Sequence, residues 1–145
     1  MTQPRPDRPQ PIAFNQYDLE RHLKALRSDA QIQAHGRDSV TLVRDAGFDL
    51  VLVALAHGGR LPEHRAPGAI SVLVLGGRIA FTAHGERHEL GMHDLITLPV
   101  RVPHEVEALE ESAILITITA PVAHTDAVGL EAEAEARREI GRAHV

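Results

Sequence analysis

Cysteine and tryptophan are both absent from the 145-residue sequence, and the absence of cysteine excludes several classes of function. Without cysteine there can be no disulfide framework, no thiolate zinc site and no cysteine nucleophile. The aromatic residues are only Phe14, Tyr17, Phe48 and Phe81. So few rings leave little material for platforms on which nucleic-acid bases or sugars could stack.

Long apolar runs and excess positive charge are also missing. No stretch of about 18 apolar residues is present, so no membrane-spanning helix is predicted. The 15 Lys and Arg residues are outnumbered by 20 Asp and Glu residues, giving a formal net charge of −5. This balance argues against a partner with a phosphate backbone. We therefore expect a cytoplasmic protein that binds neither nucleic acid nor membranes.

Histidine, by contrast, is abundant, with 10 residues in a chain whose length suits one domain. Whether these histidines form a site depends on where the secondary structure places them. A helix is predicted over 16–27, with Asn15 as its N-cap. The last residues, with acidic side chains before basic ones, are typical of a second helix.

Short runs rich in Val, Ile, Leu and Thr follow Gly36, separated by turn-forming residues. The predicted strands are 40–43, 48–56, 69–75, 78–83, 95–98, 105–109 and 112–119. Their spacing leaves no room for crossover helices, so the pattern predicts an all-β fold, an antiparallel sandwich or barrel. Tight hairpins are predicted at Gly76–Gly77 and His84–Gly85.

The chain thus divides into four predicted segments. They are a disordered, proline-rich leader (1–13), an N-terminal helical segment (14–36), a barrel (37–122) and a C-terminal helical extension (123–145).

Two motifs in the barrel segment resemble those of the cupin superfamily. In the first, Gly58 is followed after five residues by His64, and Gly77 closes the motif. The second ends at His104 and keeps Pro99 and Pro103.

Three residues depart from the second motif: His93 and Arg101 stand where glycines are usual, and Ala108 stands where Asn is common. The resemblance covers roughly residues 40–119. It implies a small jelly-roll-like cupin barrel of RmlC-like type.

The resemblance also implies a metal site, but its ligand set is incomplete in this sequence. His64 and His104 occupy two ligand positions, whereas Ala66 and Ile70 replace the second histidine and the glutamate. Ser71, at the alternative position of the glutamate, is a poor ligand for a divalent ion. Two imidazoles alone hold such an ion weakly, because stable sites use three or more ligands.

A third ligand would have to come from outside the motifs, and His57 and His93 are the candidates. Arg101 lies in the loop that frames the barrel mouth in cupins, where it could bind a carboxylate or phosphate through two hydrogen bonds. Alternatively, this arginine forms an ion pair with Glu105 or Glu107, or its side chain is exposed to solvent. The predicted pocket contains His64, His104, Arg101, Ser71 and His57, around an interior of Ile70, Val72, Val74 and Val106.

Two main functions remain open on this evidence, beside metal-free acid–base chemistry by His104 as a third. The first is a protein that binds a small organic ligand in the barrel pocket without a cofactor. The alternative is a cupin enzyme, such as a dioxygenase or isomerase, that uses iron, manganese, nickel or zinc. No catalytic residue is assigned under either hypothesis. Exposed strand edges also favour a homodimer.

Overall fold

The computed structural model describes residues 14–45 and 47–119, so the predicted leader and C-terminal extension lie outside the described residues. Within these residues, two helices precede nine strands. The elements are α1 (Leu19–Arg27), α2 (Ala30–His35), β1 (Arg37–Arg44), β2 (Phe48–Leu55), β3 (Arg60–His64), β4 (Ile70–Gly76), β5 (Arg78–Ala83), β6 (Glu86–Gly91), β7 (Leu95–Leu98), β8 (His104–Ala108) and β9 (Ser112–Thr119).

The strands form two antiparallel sheets that face each other, which confirms the predicted all-β, cupin-type architecture. The first sheet has the order β1-β2-β9-β4-β7, and the second has the order β3-β8-β5-β6. Side chains alternate between the two faces of each strand, so every second residue points into the space between the sheets. The predicted interior is confirmed, because all four of its residues belong to the main core: Ile70, Val72, Val74 and Val106.

The N-terminal helical segment packs on the outside of the five-stranded sheet. Leu23 and Leu26 of α1 contact Leu52 and Ala54 of β2, in a second, smaller hydrophobic cluster. The helix begins later than predicted. Asp18, not Asn15, is the N-cap: its carboxylate accepts a hydrogen bond of 3.1 Å from the backbone N–H of Arg21.

The sequence patterns missed two elements, α2 and β3, and indicated β6 only as the return strand of the predicted His84–Gly85 hairpin. The six-residue α2 is too short to show a helical period, while β3 and β6 carry mostly exposed polar residues. No helix in the described ranges combines the length and the apolar character needed to cross a bilayer.

One of the two predicted hairpins is wrong. Ala83 of β5 pairs with Glu86 of β6 around His84–Gly85, as expected. Strands β4 and β5, in contrast, belong to different sheets, so Gly76–Gly77 is a corner between sheets. The φ of Gly77 is 81°, and a Cβ there would lie 2.2 Å from the carbonyl oxygen of Glu111. Close backbone packing, not a two-residue turn, explains this glycine.

Candidate functional site

His64 and His104 lie directly opposite each other on the neighbouring strands β3 and β8. Their ring centroids are 4.4 Å apart and their planes meet at 62°. The sequence placed both residues in one site from the two motifs. The structure brings them into contact, and this histidine pair is the centre of the candidate site.

His104 is the buried member of the pair. It begins β8 on the inward face that also carries Val106 and Ala108, and only 5% of its surface is exposed. Its ring stacks on that of Phe81, with the centroids 5.6 Å apart and the planes 7° from parallel. The Nδ1 atom of His104 lies 2.9 Å from the carbonyl oxygen of Val102.

A carbonyl oxygen only accepts hydrogen bonds, so this contact requires the proton of neutral His104 to be on Nδ1. Burial lowers the pKa of His104 below its ordinary value of 6.5. The Val102 carbonyl opposes this effect on the pKa, and nearby His64 adds to it. His104 is therefore neutral at pH 7, with the electron pair of Nε2 free to accept a hydrogen bond.

His64 is exposed, although it is paired with a buried residue. It ends β3, an edge strand whose pairing with β8 is irregular between Leu61 and His64. Its Nδ1 atom lies 3.4 Å from the carbonyl oxygen of Pro62, a longer contact than that of His104. The ring of His64 is thus held loosely and faces open space.

That open space is a cavity of about 450 Å³ where the edge strands β1 and β3 of the two sheets leave the barrel open. We call it the β1–β3 cleft. Its apolar wall is formed by four aliphatic residues: Val51, Val53, Leu61 and Ile116. Its polar lining consists of Gln31, His35, Arg37, Asp38, Ser39 and His64.

Sequence reasoning missed most of this polar lining. His35, Arg37 and Asp38 lie near the junction of α2 and β1, upstream of both motifs. No spacing pattern connects them to His64. Only the approach of β1 to β3 reveals the connection, through a hydrogen bond of 2.7 Å from Nη1 of Arg37 to the carbonyl oxygen of Arg60.

Ser71 does not join the histidine pair, which corrects the expected pocket. Its neighbours on β4, Ile70 and Val72, are buried in the core, so alternation turns Ser71 to the outer face of the five-stranded sheet. There it lies opposite Thr97 and Thr117. It lines a separate, shallow cavity of about 320 Å³ on that face.

His57 and His93 also lie away from the pair, at the opposite end of the barrel. His57 is in the connection that enters β3, whereas His64 is at the last residue of that strand. His93 is in the turn between β6 and β7, where its backbone N–H donates to the carbonyl oxygen of Val74. Neither residue can therefore supply the third ligand that the sequence left open.

Arg101 lies in the loop between β7 and β8, exposed and outside the lining of the β1–β3 cleft. Its backbone N–H donates to the carbonyl oxygen of Ala66 at 3.1 Å. The φ angles of Arg101 and His93 are 60° and 75°, in the left-handed region that favours glycine. Both residues stand at positions where the motif has glycine, and both keep the left-handed backbone conformation that favours glycine there.

The side chains present do not fit a resident divalent ion. Ala66 and Ile70, at the other two positions of the motif, are each 5% exposed and packed in the core. Within residues 14–45 and 47–119, no group of three His, Asp or Glu residues is arranged to hold a metal. His64 and His104 offer two nitrogen ligands, fewer than stable sites use.

Comparisons with known proteins agree with this architecture. The family model described as the cupin domain matches residues 51–119. No curated protein matches the sequence. An RmlC-like cupin protein from Desulfovibrio desulfuricans is 24% identical, with a TM-score of 0.64 over 76% of this chain and 100% of that one.

Two further structures show the same fold. A conserved protein of unknown function from Streptococcus pyogenes is 26% identical, with a TM-score of 0.58 over 61% of this chain and 78% of that one. Salicylate 1,2-dioxygenase from Pseudoaminobacter salicylatoxidans is 17% identical, with a TM-score of 0.64 over 70% of this chain but only 32% of that one. Together with the motifs around His64 and His104, these matches show that residues 51–119 form a small cupin domain, with a fold similar to that of an RmlC-like cupin.

Proposed function

We propose that this cupin binds a small organic molecule in the β1–β3 cleft, without a resident metal ion. The observation that carries the proposal is the cleft itself. A cavity of about 450 Å³ with an aliphatic wall and a few polar groups has the size and composition of small-molecule sites in proteins.

The two histidines have different roles in this proposal. His64 lines the cleft and is exposed, so its ring can exchange hydrogen bonds with a ligand. His104 lies behind it in the core, fixed by Phe81 and the Val102 carbonyl. We therefore assign His64 to ligand contact and His104 to positioning the ring of His64.

A fluorescence titration with N-phenyl-1-naphthylamine tests the proposal, because this apolar, uncharged probe becomes brighter when it leaves water. We expect saturable binding to the protein. The variant Ser39→Trp fills the cleft from the exposed edge strand β1 and should abolish binding. Thr82→Trp, on the outer face of the other sheet, is the matched control and should bind as the wild type does.

The result that would exclude the proposal is equally clear. If the probe does not bind, or if Ser39→Trp binds as well as Thr82→Trp, the cleft is not a ligand site.

The alternative function is a metal-dependent cupin enzyme with dioxygenase or isomerase chemistry. Its support is the histidine pair: each ring holds Nδ1 near a carbonyl oxygen, which leaves Nε2 for a ligand bond. Its weakness is the incomplete donor set described above. Elemental analysis separates the two functions, and we expect much less than one iron, manganese, nickel or zinc ion per chain.

A metal content near one ion per chain, lost in His64→Ala and accompanied by a lower melting temperature after chelation, would favour the enzyme instead.

A further inference from the structure

Arg37 differs from the arginines that form ion pairs in the described part of the chain. Arg27, Arg60, Arg78 and Arg87 each lie within 4.0 Å of a glutamate oxygen. Among the described residues, the side chain of Arg37 has one partner, the backbone carbonyl oxygen of Arg60, which accepts a hydrogen bond from Nη1. A guanidinium group has five N–H donors in a planar fork, so most of the donors of Arg37 remain available at the cleft.

The remaining polar lining favours a negative ligand over a positive one. His35 and Arg37 can both donate hydrogen bonds into the cleft, and the charge of Arg37 is permanent. Among the described residues of the lining, Asp38 is the single carboxylate, and its Oδ1 already accepts a hydrogen bond of 2.9 Å from the backbone N–H of Ser39. Its negative charge is thus partly compensated by its own strand.

The positions of these groups define the two ends of the cleft. Arg37 contacts β3 at Arg60, the first residue of that strand, while His64 is its last residue. Four residue-to-residue steps of extended chain, each of about 3.3 Å, separate the two ends by about 13 Å. The aliphatic wall lines the same cleft.

We infer that the ligand of the β1–β3 cleft is a small organic carboxylate, with its carboxylate held by the fork of Arg37 and its hydrocarbon part against the aliphatic wall. This inference rests on the proposed function and adds the chemical class of the ligand. It assigns to Arg37 the anion-binding role that the sequence suggested for Arg101.

The test compares hexanoate, hexanamide and hexylammonium, three probes with the same chain length and different charge, in NMR titrations of backbone amides at pH 7.5. We expect amide shifts around the cleft, and hexanoate should bind at least about tenfold more tightly than hexanamide, because charge-assisted hydrogen bonds are the strong ones.

Variants locate the source of this preference. Arg37→Met should remove it and leave the affinity for hexanamide within about twofold of the wild type, whereas Arg37→Lys should keep part of it because the charge remains. Arg87→Met is the matched control, since Arg87 pairs with Glu89 on β6. Asp38→Asn should strengthen hexanoate binding by removing the nearby negative charge.

Each other outcome overturns a defined statement. If hexanamide binds as tightly as hexanoate, or Arg37→Met keeps the preference, the carboxylate assignment is wrong and the cleft remains a ligand site. If hexylammonium binds more tightly than hexanoate, the charge of Asp38 determines the preference of the cleft, and the carboxylate assignment is wrong. If none of the three probes shifts the cleft amides and the neutral fluorescent probe fails as well, the proposed function falls and this inference falls with it.

Discussion

Removing His104 should destabilise the protein far more than removing His64, although the two side chains are chemically identical and lie on the same pair of strands. In His104→Ala, a ring that is 5% exposed and stacked on Phe81 disappears from the core. The carbonyl oxygen of Val102 also loses its donor at 2.9 Å. A deleted core side chain and a buried acceptor without a partner together cost roughly 3–5 kcal/mol.

His64 carries neither of these contributions. Its side chain is exposed on an edge strand and its contact with the Pro62 carbonyl is 3.4 Å long. Surface substitutions of this kind change stability by about 0.5 kcal/mol. The difference between the two alanine variants should therefore be at least about 2.5 kcal/mol, the lower value for His104→Ala less the value for His64→Ala.

Urea unfolding followed by far-ultraviolet circular dichroism at pH 7.5 measures this difference, provided that the m-value is unchanged. His104→Asn is the informative control, because its side-chain N–H can replace the Nδ1 donor and should recover about 1 kcal/mol relative to His104→Ala. Equal losses for His64→Ala and His104→Ala would refute the assignment of a core role to one ring and a ligand role to the other.

Three further predictions follow from the same structure. Because burial lowers the pKa of His104 below 6.5, the unfolded chain binds more protons in acid than the folded chain does. The stability that neutral His104 contributes is fully present above pH 6.5 and falls as the pH drops through the folded-state pKa. Urea unfolding between pH 7.5 and 5 should show a smaller loss for His104→Asn, and equal slopes would contradict this. Gly68→Ala would place a Cβ 1.7 Å from the carbonyl oxygen of Thr119 and should cost at least about 2 kcal/mol of stability. Gly76→Ala is the control, because a Cβ there has nothing within 4 Å, and it should change stability by less than about 0.5 kcal/mol. Equal costs in thermal unfolding would exclude the proposed clash. A homodimer is expected through edge strand β7, where Leu95 is 61% exposed. Light scattering should give a mass of about twice 15.8 kDa for the wild type and the monomer mass for Leu95→Lys. A monomeric wild type would disprove the pairing.

Much of the fold could be predicted because its determinants are local. Alternation along β4 and β8 assigned Ile70, Val72, Val74 and Val106 to the interior, and the structure confirms all four. Strand β3 could not be predicted in the same way. It is an edge strand with mostly exposed residues, so neither alternation nor an apolar run marks it.

The candidate site was predictable only where a motif fixed the spacing. His64 and His104 occupy matching positions and meet across two strands. Ser71, in contrast, was assigned to the pocket from its position in the motif, although its neighbours Ile70 and Val72 already required it to face outward. Alternation along the strand contained the correct answer for Ser71.

The sequence by itself determined that this is an antiparallel β protein of the cupin type, which residues face its core, and that two of four motif ligands are missing. Those properties depend on alternation and spacing along single strands. Only the tertiary structure decided that His57 and His93 lie at the far end of the barrel and that Arg37 lines the same cleft as His64. The reason is physical: strand edges meet through pairing between distant segments, and no local pattern records which edges form the wall of a cavity.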